Sequence, residues 1–443
     1  MFWNNNFKTI KMKQIKLLFD ATIIIQNINL KISSRSGIFW VAYNLLCQFS
    51  QSSLYQITLL VPADRTVFKE KNELINFLSF FPSITIYETS KYESNINLHK
   101  NQINDTKNIL KIFIRYLKIL KNILNLAMSK IKNSFNDFNS FNIFFSPIYS
   151  IPDAIRNISS IKSFHILYDC IPIIESLSSM SKIYLTVWFS QVIQNLNKNT
   201  YYFCISESTR RDFLRLFPNQ LDESMMLLTP LATSQNFSPE YDKIKLQKVL
   251  KKYGVDVKET DLFIFSLCSI EPRKNLSFTI KCFIKFIEKH QIDNFYFFLG
   301  GASIPNYIRN LLNEISNFAK YQDKIIMLGY IDDEDVNILY SNSSFFVYLS
   351  QYEGFGMPPL EAMQAGTPVI CSDNSSLPEV VGDAAITIPY NDETLCIKAF
   401  EDLYFNESLR KYYIEKGLER AKLFTWEKTF KLMSDVIIKA IGE

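Results

Sequence analysis

The stretch "YEGFGMPPLEAMQAGTPVICS" occupies residues 352–372. It places three glycines within a short span of a chain that has only 11 glycines in 443 residues. Glycine adopts positive φ angles and lets other atoms approach the main chain closely. A chain with so little glycine is expected to keep it where the backbone requires it. The stretch is therefore the first candidate for a binding site.

The residues around this stretch predict a strand, a loop and a helix. The apolar run "SFFVYLS" (344–350) predicts a buried strand, and "QYEGFG" is then the loop at its carboxyl end. "MPPLEAMQA" predicts a helix with proline in its first turn, where the missing N–H costs little, and Gly366 is expected to end it in the left-handed conformation. Ligands of open α/β sheets bind at the carboxyl ends of strands, and a helix N-terminus there favours an anion.

Similar apolar runs recur along the chain and alternate with amphipathic segments. They predict strands at 15–22, 55–62, 83–88, 142–147, 162–169 and 201–206, and again at 262–269, 295–301, 324–330, 344–350, 368–372 and 384–390. Such uniformly apolar strands are typical of parallel sheets covered by helices on both faces. Because 443 residues exceed what one hydrophobic core organises, we expect an α/β protein with two doubly wound domains.

Composition narrows the functional class. A net charge of +4 does not favour a nucleic-acid-binding protein. The seven cysteines show no paired short spacing, and the first residues lack the apolar core of a signal peptide, so we expect a cytoplasmic protein with reduced thiols. The three histidines lie far apart in sequence, which argues against a zinc site.

The segment 94–140 departs from the strand and helix rhythm. Between residues 107 and 133 apolar residues alternate with lysine and arginine, and no acidic residue falls among them. Two interpretations stay open: a helix packed on its own sheet with a solvated basic edge, or a helix lying on an anionic membrane surface. The second would make the protein peripheral at the inner face of the membrane.

Four charged residues lie in the loops that follow predicted strands or in the helix that begins after such a loop. Glu353 precedes the helix of the opening stretch and Glu361 lies within it, so both can face one cleft, where a carboxylate can accept hydrogen bonds from a diol such as ribose. Arg273 and Lys274 lie in "FSLCSIEPRKNLSFTI" (265–280) at a predicted helix start, where two cations oppose the helix dipole. That placement is easier to explain if they face phosphates across a solvated cleft. Solvated surface charges are the alternative in both cases.

The acidic run "DDEDV" (332–336) admits two interpretations, a helix N-cap region and a metal site. Aspartate is a favoured N-cap residue, and the run precedes an apolar periodic segment. We therefore interpret it as a helix start and predict no metal site.

The motifs "EPRKN" and "EGFGMPPLEAMQAGTPVICSD" resemble those of the retaining glycosyltransferases of family four, a mannosyltransferase-like part of the group 1 glycosyltransferases. The resemblance covers most of the chain and is most specific in the second half. It implies the GT-B fold, in which two Rossmann-like domains face each other across the ligand cleft. We accordingly predict an acceptor-side domain at 1–237, a nucleotide-sugar-binding domain at 238–424, and a C-terminal helix at 425–443 that crosses back to the first domain.

The resemblance also implies roles for individual residues. Arg273 and Lys274 would contact the donor diphosphate, Glu353 the transferred sugar, and Glu361 the ribose. Further donor contacts would come from Phe355, Gly356, Met357 and Leu360. The segment "SLPEVVGDAA" (376–385) matches as well, with Glu379 expected to help order the site.

The first half of the chain matches more loosely. "SRSGIFWVAYNLL" (34–46) implies Gly37 near the donor, and "CISESTRRDF" (204–213) resembles a segment with a serine before basic residues. "ILYDCIPIIE" (166–175) carries Asp169 as a catalytic candidate, but has Tyr168 where histidine is common. Two usual glycines are replaced, by Ala232 and Cys268.

The function implied is that of a retaining hexosyltransferase, metal-independent and without a cofactor. The donor would be a nucleotide sugar, with GDP-mannose as the best guess. The acceptor would be a saccharide, lipid-linked saccharide or protein in cell-surface glycan biosynthesis. No residue stands out as a covalent nucleophile, which favours attack on the same face as the departing phosphate. The alternatives are a sugar-nucleotide epimerase, a catalytically weak GT-B scaffold, and a membrane-surface binding protein.

Overall fold

The computed structural model of the chain describes residues 14–24, 37–62, 85–89, 138–174, 183–234, 236–301 and 318–442. The basic segment 107–133 lies outside these residues, so both of its interpretations stay open. Among the helices that are described, none has both the length and the apolar character that crossing a membrane requires.

Seven parallel strands form the first sheet, in the order β3-β2-β1-β4-β5-β6-β7. They are β1 (Ile15–Asp20), β2 (Tyr55–Pro62), β3 (Thr85–Thr89), β4 (Ile143–Ser146), β5 (Lys162–Leu167), β6 (Thr200–Cys204) and β7 (Met226–Leu228). The first six were predicted. The seventh was missed because it is an edge strand of three residues, too short for an apolar run to indicate it.

Six parallel strands form the second sheet, in the order β10-β9-β8-β11-β12-β13. They are β8 (Leu262–Leu267), β9 (Phe295–Gly300), β10 (Ile325–Gly329), β11 (Phe346–Tyr348), β12 (Val369–Ser372) and β13 (Ile386–Ile388), all of them predicted. The strand order reverses between β1 and β4 in one sheet and between β8 and β11 in the other. Ligands of doubly wound sheets bind at such points, outside the carboxyl ends of the strands.

Helices connect the strands of each sheet. In the first half they are α1 (Gly37–Gln51), α2 (Asp153–Arg156), α3 (Ile171–Ile174), α4 (Ile183–Gln194) and α5 (Glu207–Leu216). In the second half they are α6 (Lys243–Lys252), α7 (Leu276–His290), α8 (Phe318–Tyr321), α9 (Asp333–Asn342), α10 (Met357–Gln364), α11 (Leu377–Val381), α12 (Glu393–Phe405), α13 (Glu407–Ala421) and α14 (Trp426–Gly442). The two doubly wound α/β units confirm the predicted GT-B fold class.

Burial on both faces of the sheets explains the uniformly apolar strands. In β1, Leu17 and Phe19 belong to one buried cluster, whereas Leu18 between them belongs to another. Successive side chains of a strand point to opposite faces, so both faces of β1 are covered. Aromatic rings also pack on neighbouring strands of the second sheet. The rings of Phe263 on β8 and Phe298 on β9 are stacked, with their centroids 4.5 Å apart.

The chain connects the two units at two places that lie side by side. It passes from the first unit to the second after β7, and α14 returns, with Ser434 Oγ 2.6 Å from Tyr55 OH on β2. At the start of α14 the indole of Trp426 donates to the carbonyl of Thr233, at 3.1 Å. One turn later the hydroxyl of Thr429 donates to the carbonyl of Pro230, at 2.7 Å. The exact domain boundaries remain predictions.

Candidate active site

The loop after β8 carries the two cations. Residues Pro272–Lys274 form one turn of 3-10 helix, and Asn275 follows with φ +57° before α7 begins. Asparagine is one of the few residues with a side chain that adopts this left-handed conformation readily. Its amide donates to the carbonyl of Tyr390 at 2.6 Å, which fixes the end of the turn. The turn thus holds Arg273 and Lys274 at the carboxyl edge of the second sheet.

The loop after β11 is the opening stretch of the sequence. Gly356 has φ +127°, and a Cβ there would lie 2.9 Å from Cδ2 of Leu377, so a glycine is required twice over. Ser376 Oγ contacts the carbonyl oxygens of Glu353 at 3.0 Å and Phe355 at 2.5 Å. At the other end of α10, Gly366 has φ +77°, which confirms the predicted left-handed stop.

The two loops meet in a buried cluster of charges. Lys274 Nζ lies 2.6 Å from Oε1 of Glu353, and Arg273 Nη1 lies 2.9 Å from the same oxygen. Arg273 also donates to the carbonyl of Tyr352 at 2.5 Å. Lys274 donates its second hydrogen bond to the hydroxyl of Tyr348, at 2.7 Å. An ammonium has three donors, so one N–H of Lys274 is not engaged by the contacts of the described residues.

The expectation that Lys274 faces a solvated cleft is wrong. Its exposed fraction is 8%, equal to that of Glu353. The ring of Tyr348 covers it from the side of the sheet, with Nζ 5.0 Å from the ring centroid. Burial raises the pKa of Glu353, but the nearby charges of Lys274 and Arg273 outweigh burial and hold that pKa below its ordinary value. The carboxylate is therefore ionised at neutral pH.

Asp169 approaches the cluster from the first unit. A Cβ added to Gly354 would lie 2.6 Å from the carbonyl oxygen of Tyr168 and 3.0 Å from Oδ2 of Asp169. Only glycine lets the two units come this close. Burial raises the pKa of Asp169 to about 6, against the lowering effect of the hydrogen bond that its carboxylate accepts from the backbone of Ile171. A cavity of about 250 Å³ opens beside Asp169 and Arg273.

Tyr168 does not replace the polar contact that a histidine would offer at this position. Its hydroxyl donates to the carbonyl of Pro147, at 2.8 Å, and is directed into its own sheet. Of this pair, Tyr168 approaches Gly354 of the second unit with its backbone carbonyl, whereas Asp169 does so with its side chain. Ala232, with 1% exposure, is a core residue, and Cys268 is buried with its amide bonded to the carbonyl of Gly300.

The remaining candidate residues lie around α10. Glu361 is half-buried and accepts a hydrogen bond from the hydroxyl of Tyr340 at 3.1 Å, and burial raises its pKa to about 7. The side chain of Leu360 is buried in the core, with 1% exposure. Gly37 begins α1, and a Cβ there would lie 3.9 Å from the sulfur of Met357. The first helix of one unit therefore starts beside α10 of the other.

Several polar residues of the site were not among those singled out from the sequence. Ser206 caps α5 by accepting a bond from the amide of Thr209, and its own hydroxyl donates to the carbonyl of Gly354 across the interface, at 2.7 Å. The Ser-x-x-Thr spacing before a helix could have indicated the cap, although not the partner. Tyr348, which contacts Lys274, and Ser376, which donates to the carbonyls of Glu353 and Phe355, were not predicted either, because the sequence does not show which partner a buried hydroxyl contacts.

The acidic run forms a second group of charges, at the start of α9. Helix α9 begins at Asp333, as predicted, and carboxylate oxygens of Asp332, Glu334 and Asp335 lie within 4.8 Å of one another. The ammonium of Lys252 lies among them, 2.6 Å from Asp332 and 2.6 Å from Asp335. One protein cation thus already contacts this group of three carboxylates.

Comparisons with known proteins agree with this arrangement. Residues 251–420 match the family described as "Glycosyl transferases group 1". The O-antigen chain mannosyltransferase B of Escherichia coli is 32% identical over 235 residues, which are 53% of this chain and 59% of that protein. The serotype-specific mannosyltransferase WbdA of Escherichia coli is 25% identical over 276 residues, 61% of this chain and 32% of that protein. The chain spans about a third to three fifths of the length of these curated relatives.

The fold is similar to that of solved structures over almost the whole chain. Sucrose-phosphate synthase from Thermosynechococcus elongatus superposes with a TM-score of 0.63, covering 97% of this chain and 100% of that one. Sequence identity in that comparison is 14%, so the likeness concerns the fold alone.

Proposed function

Since residues 251–420 belong to the group 1 glycosyltransferase family, as their motifs predicted, we propose that the protein is a retaining glycosyltransferase. It moves a hexose from a nucleotide sugar to a saccharide, lipid-linked saccharide or protein acceptor in cell-surface glycan biosynthesis. Mannose from GDP-mannose is the best guess for the donor. The names of the two Escherichia coli relatives support mannose as the sugar and a growing surface polysaccharide as the acceptor.

One observation carries this proposal. Arg273, Lys274 and Glu353 come from the loops after β8 and β11, where the strand order of the second sheet reverses. The side-chain nitrogens of Arg273 and Lys274 lie 2.9 Å and 2.6 Å from Oε1 of Glu353. Asp169 of the first unit lies across from them, beside a cavity. Fixed cations, a carboxylate and a facing acidic residue are groups that can serve the transfer of a sugar from a diphosphate.

The chemistry follows from the placement of these charges. Negative charge develops on the diphosphate as the bond to the sugar breaks, and preorganised cations lower the energy of that state most in a site that excludes water. Arg273 and Lys274 supply the cations, and the N–H groups at the start of α10 add a positive dipole end. Glu353 faces the sugar, which gains positive character at the same time.

The attacking hydroxyl approaches from the first unit. No covalent nucleophile is needed if the acceptor attacks the face from which the phosphate departs, since the departing phosphate oxygen then accepts the proton of the acceptor hydroxyl. The anomeric configuration of the sugar is retained in such a step. Asp169, with its raised pKa, holds a hydroxyl of the donor sugar or of the acceptor in position.

The proposed reaction needs no divalent metal. A transferase neutralises the departing diphosphate either with a bound cation or with fixed protein cations. Arg273 and Lys274 serve the second strategy. Within the described part of the chain, the acidic group at the start of α9 is engaged with Lys252.

The test is a panel of nucleotide sugars, with GDP-mannose among them, incubated with the purified protein and with glycan acceptors. We expect release of the nucleoside diphosphate to depend on one donor and to rise when acceptor is added. Proton NMR of the product should show the anomeric configuration of the donor. A changed sugar nucleotide without acceptor would indicate an epimerase, and absence of turnover with every donor, despite nucleotide binding, would indicate a scaffold.

A further inference from the structure

Glu379 joins the two units through the N-terminus of a helix. It lies on α11 of the second unit, and its two carboxylate oxygens accept hydrogen bonds from the amides of Glu207 and Ser208, each at 2.7 Å. These amides open helix α5 of the first unit. The first amides of a helix have no partner within the helix and carry its positive dipole end. A carboxylate held there by another unit is therefore a directional, charge-assisted contact.

The same short helix is attached to the donor-binding loop. Ser376, just before α11, donates to the carbonyls of Glu353 and Phe355, and the amide of Glu353 donates to Ser375 Oγ at 2.9 Å. The side chain of Leu377 fills the space that Gly356 leaves open. Any displacement of the loop is thus transmitted to α11.

The far end of α11 is fixed as well. Arg420 on α13 donates to the carbonyl of Glu379 at 2.6 Å and to that of Val380 at 2.9 Å. The helix that bears Glu379 is therefore held by the donor loop on one side and by α13 on the other. Glu379 extends from this rigid support to the first unit.

We propose that Glu379 is a positioning residue: its carboxylate clasps α5 and so sets the closed arrangement in which Asp169 meets the donor loop. The contact of Ser206 with Gly354 and the bond from Tyr352 OH to Asp212, at 2.6 Å, also join α5 and its cap to the second unit. The effect on closure stands on the contacts alone, whereas the effect on turnover rests on the proposed transferase function.

The experiment compares Glu379→Ala and Glu379→Gln with the wild type and with Glu415→Ala, a change at an exposed glutamate of α13. The radius of gyration from small-angle X-ray scattering reports closure in the free protein. Calorimetry gives the dissociation constant of the nucleoside diphosphate, and turnover is measured with saturating donor and acceptor. A substitution that only lowered the stability of the fold would not change the radius of gyration and kcat while leaving the dissociation constant unchanged.

We expect Glu379→Ala to enlarge the radius of gyration and to lower kcat at least tenfold, while the dissociation constant changes less than twofold. The glutamine variant, whose amide oxygen can still accept one of the two bonds, should lose less. Glu415→Ala should match the wild type.

Gly354→Ala provides a second route to the same state, because its Cβ would collide with the carbonyl of Tyr168 while Glu379 stays in place. It should enlarge the radius of gyration too, which gives the size of the change that an opened arrangement produces. Glu379→Gln decides the question if Glu379→Ala does not fold. An unchanged radius of gyration in the folded Glu379 variants would overturn the proposal. A dissociation constant that rises in step with the loss of kcat/KM would also overturn it, since Glu379 would then shape only the donor loop. Absence of nucleotide binding in the wild type would refute the proposed function, and the scattering comparison would still decide closure.

Discussion

Replacing Lys274 by alanine separates its structural from its chemical contribution. Its Nζ lies 2.6 Å from Oε1 of Glu353. At an effective dielectric constant of about 20, unit charges at this distance attract by about 6 kcal/mol before desolvation is subtracted. Removing one partner of a buried pair typically lowers the free energy of unfolding by about 3–5 kcal/mol. Arg273 remains 2.9 Å from the same oxygen, so we expect a smaller loss of about 2–3 kcal/mol.

The effect on turnover should be larger than the effect on folding. The loss of a single group that stabilises developing charge lowers kcat by about 10²–10³-fold. We expect at least the lower value for Lys274→Ala, because no other described lysine contacts Glu353. Added magnesium or manganese should not restore the activity, and wild-type turnover should survive EDTA.

Urea denaturation gives the free energy of unfolding of each protein. Turnover is measured without urea, at a temperature at which both proteins are folded. Lys252→Ala is the matched control, since this lysine also lies 2.6 Å from carboxylates but outside the candidate site. A folded Lys274→Ala protein with turnover within tenfold of the wild type would refute the reasoning. An equal loss in Lys252→Ala would refute it as well. Loss of wild-type activity in EDTA, with recovery on addition of metal, would overturn metal independence.

Three further predictions concern other residues. Burial raises the pKa of Glu361 to about 7, and a ribose diol that donates to its carboxylate favours the ionised form, so nucleoside diphosphate binding should strengthen as pH rises through 7. Calorimetry of Glu361→Ala should show a loss of about 1.5–3 kcal/mol without that pH dependence, and equal affinity would contradict the ribose role. Burial raises the pKa of Asp169 from 3.8 to about 6, so the folded state binds the proton more tightly than the unfolded state and stability is lost as pH rises from 4 through 6. At pH 8, Asp169→Asn should therefore have a higher urea midpoint, with a free energy of unfolding up to about 3 kcal/mol above that of the wild type, while its turnover falls. A lower urea midpoint would contradict this. If the segment 107–133 lies on anionic membranes, each basic residue near the surface contributes about 1 kcal/mol, and more protein should sediment with anionic than with neutral vesicles at low salt. Equal sedimentation would favour the solvated helix edge.

The sequence was sufficient for the strands because the apolar runs of parallel sheets are long and bounded by polar residues. It was also sufficient for the αL stop at Gly366, since few glycines compete for that role in this chain. Strand β7 has only three residues, which are too few to show the apolar pattern that predicts a strand. The match of residues 251–420 to the group 1 glycosyltransferases was anticipated by the resemblance of two motifs in that region.

Contacts between residues far apart in the sequence could not be predicted in the same way. The burial of Lys274 depends on the side chains of Tyr348 and Glu353, and no local pattern states that two loops 79 residues apart share one ion pair. The partner of Ser206 is 148 residues away. The first contact follows from the packing of two loops within the second unit and the second from the packing of one unit on the other, and the order of strands specifies neither.

The paired crossings of the chain have a mechanical consequence. Two covalent connections that run beside each other, bonded through Trp426 and Thr429 to Thr233 and Pro230, resist torsion of one unit against the other. Rotation about an axis through both connections strains neither of them. Relative motion is thereby reduced toward a single degree of freedom. Each rotation about this axis then brings the sheet edge that carries Asp169 back to the same position and orientation opposite the edge that carries Glu353.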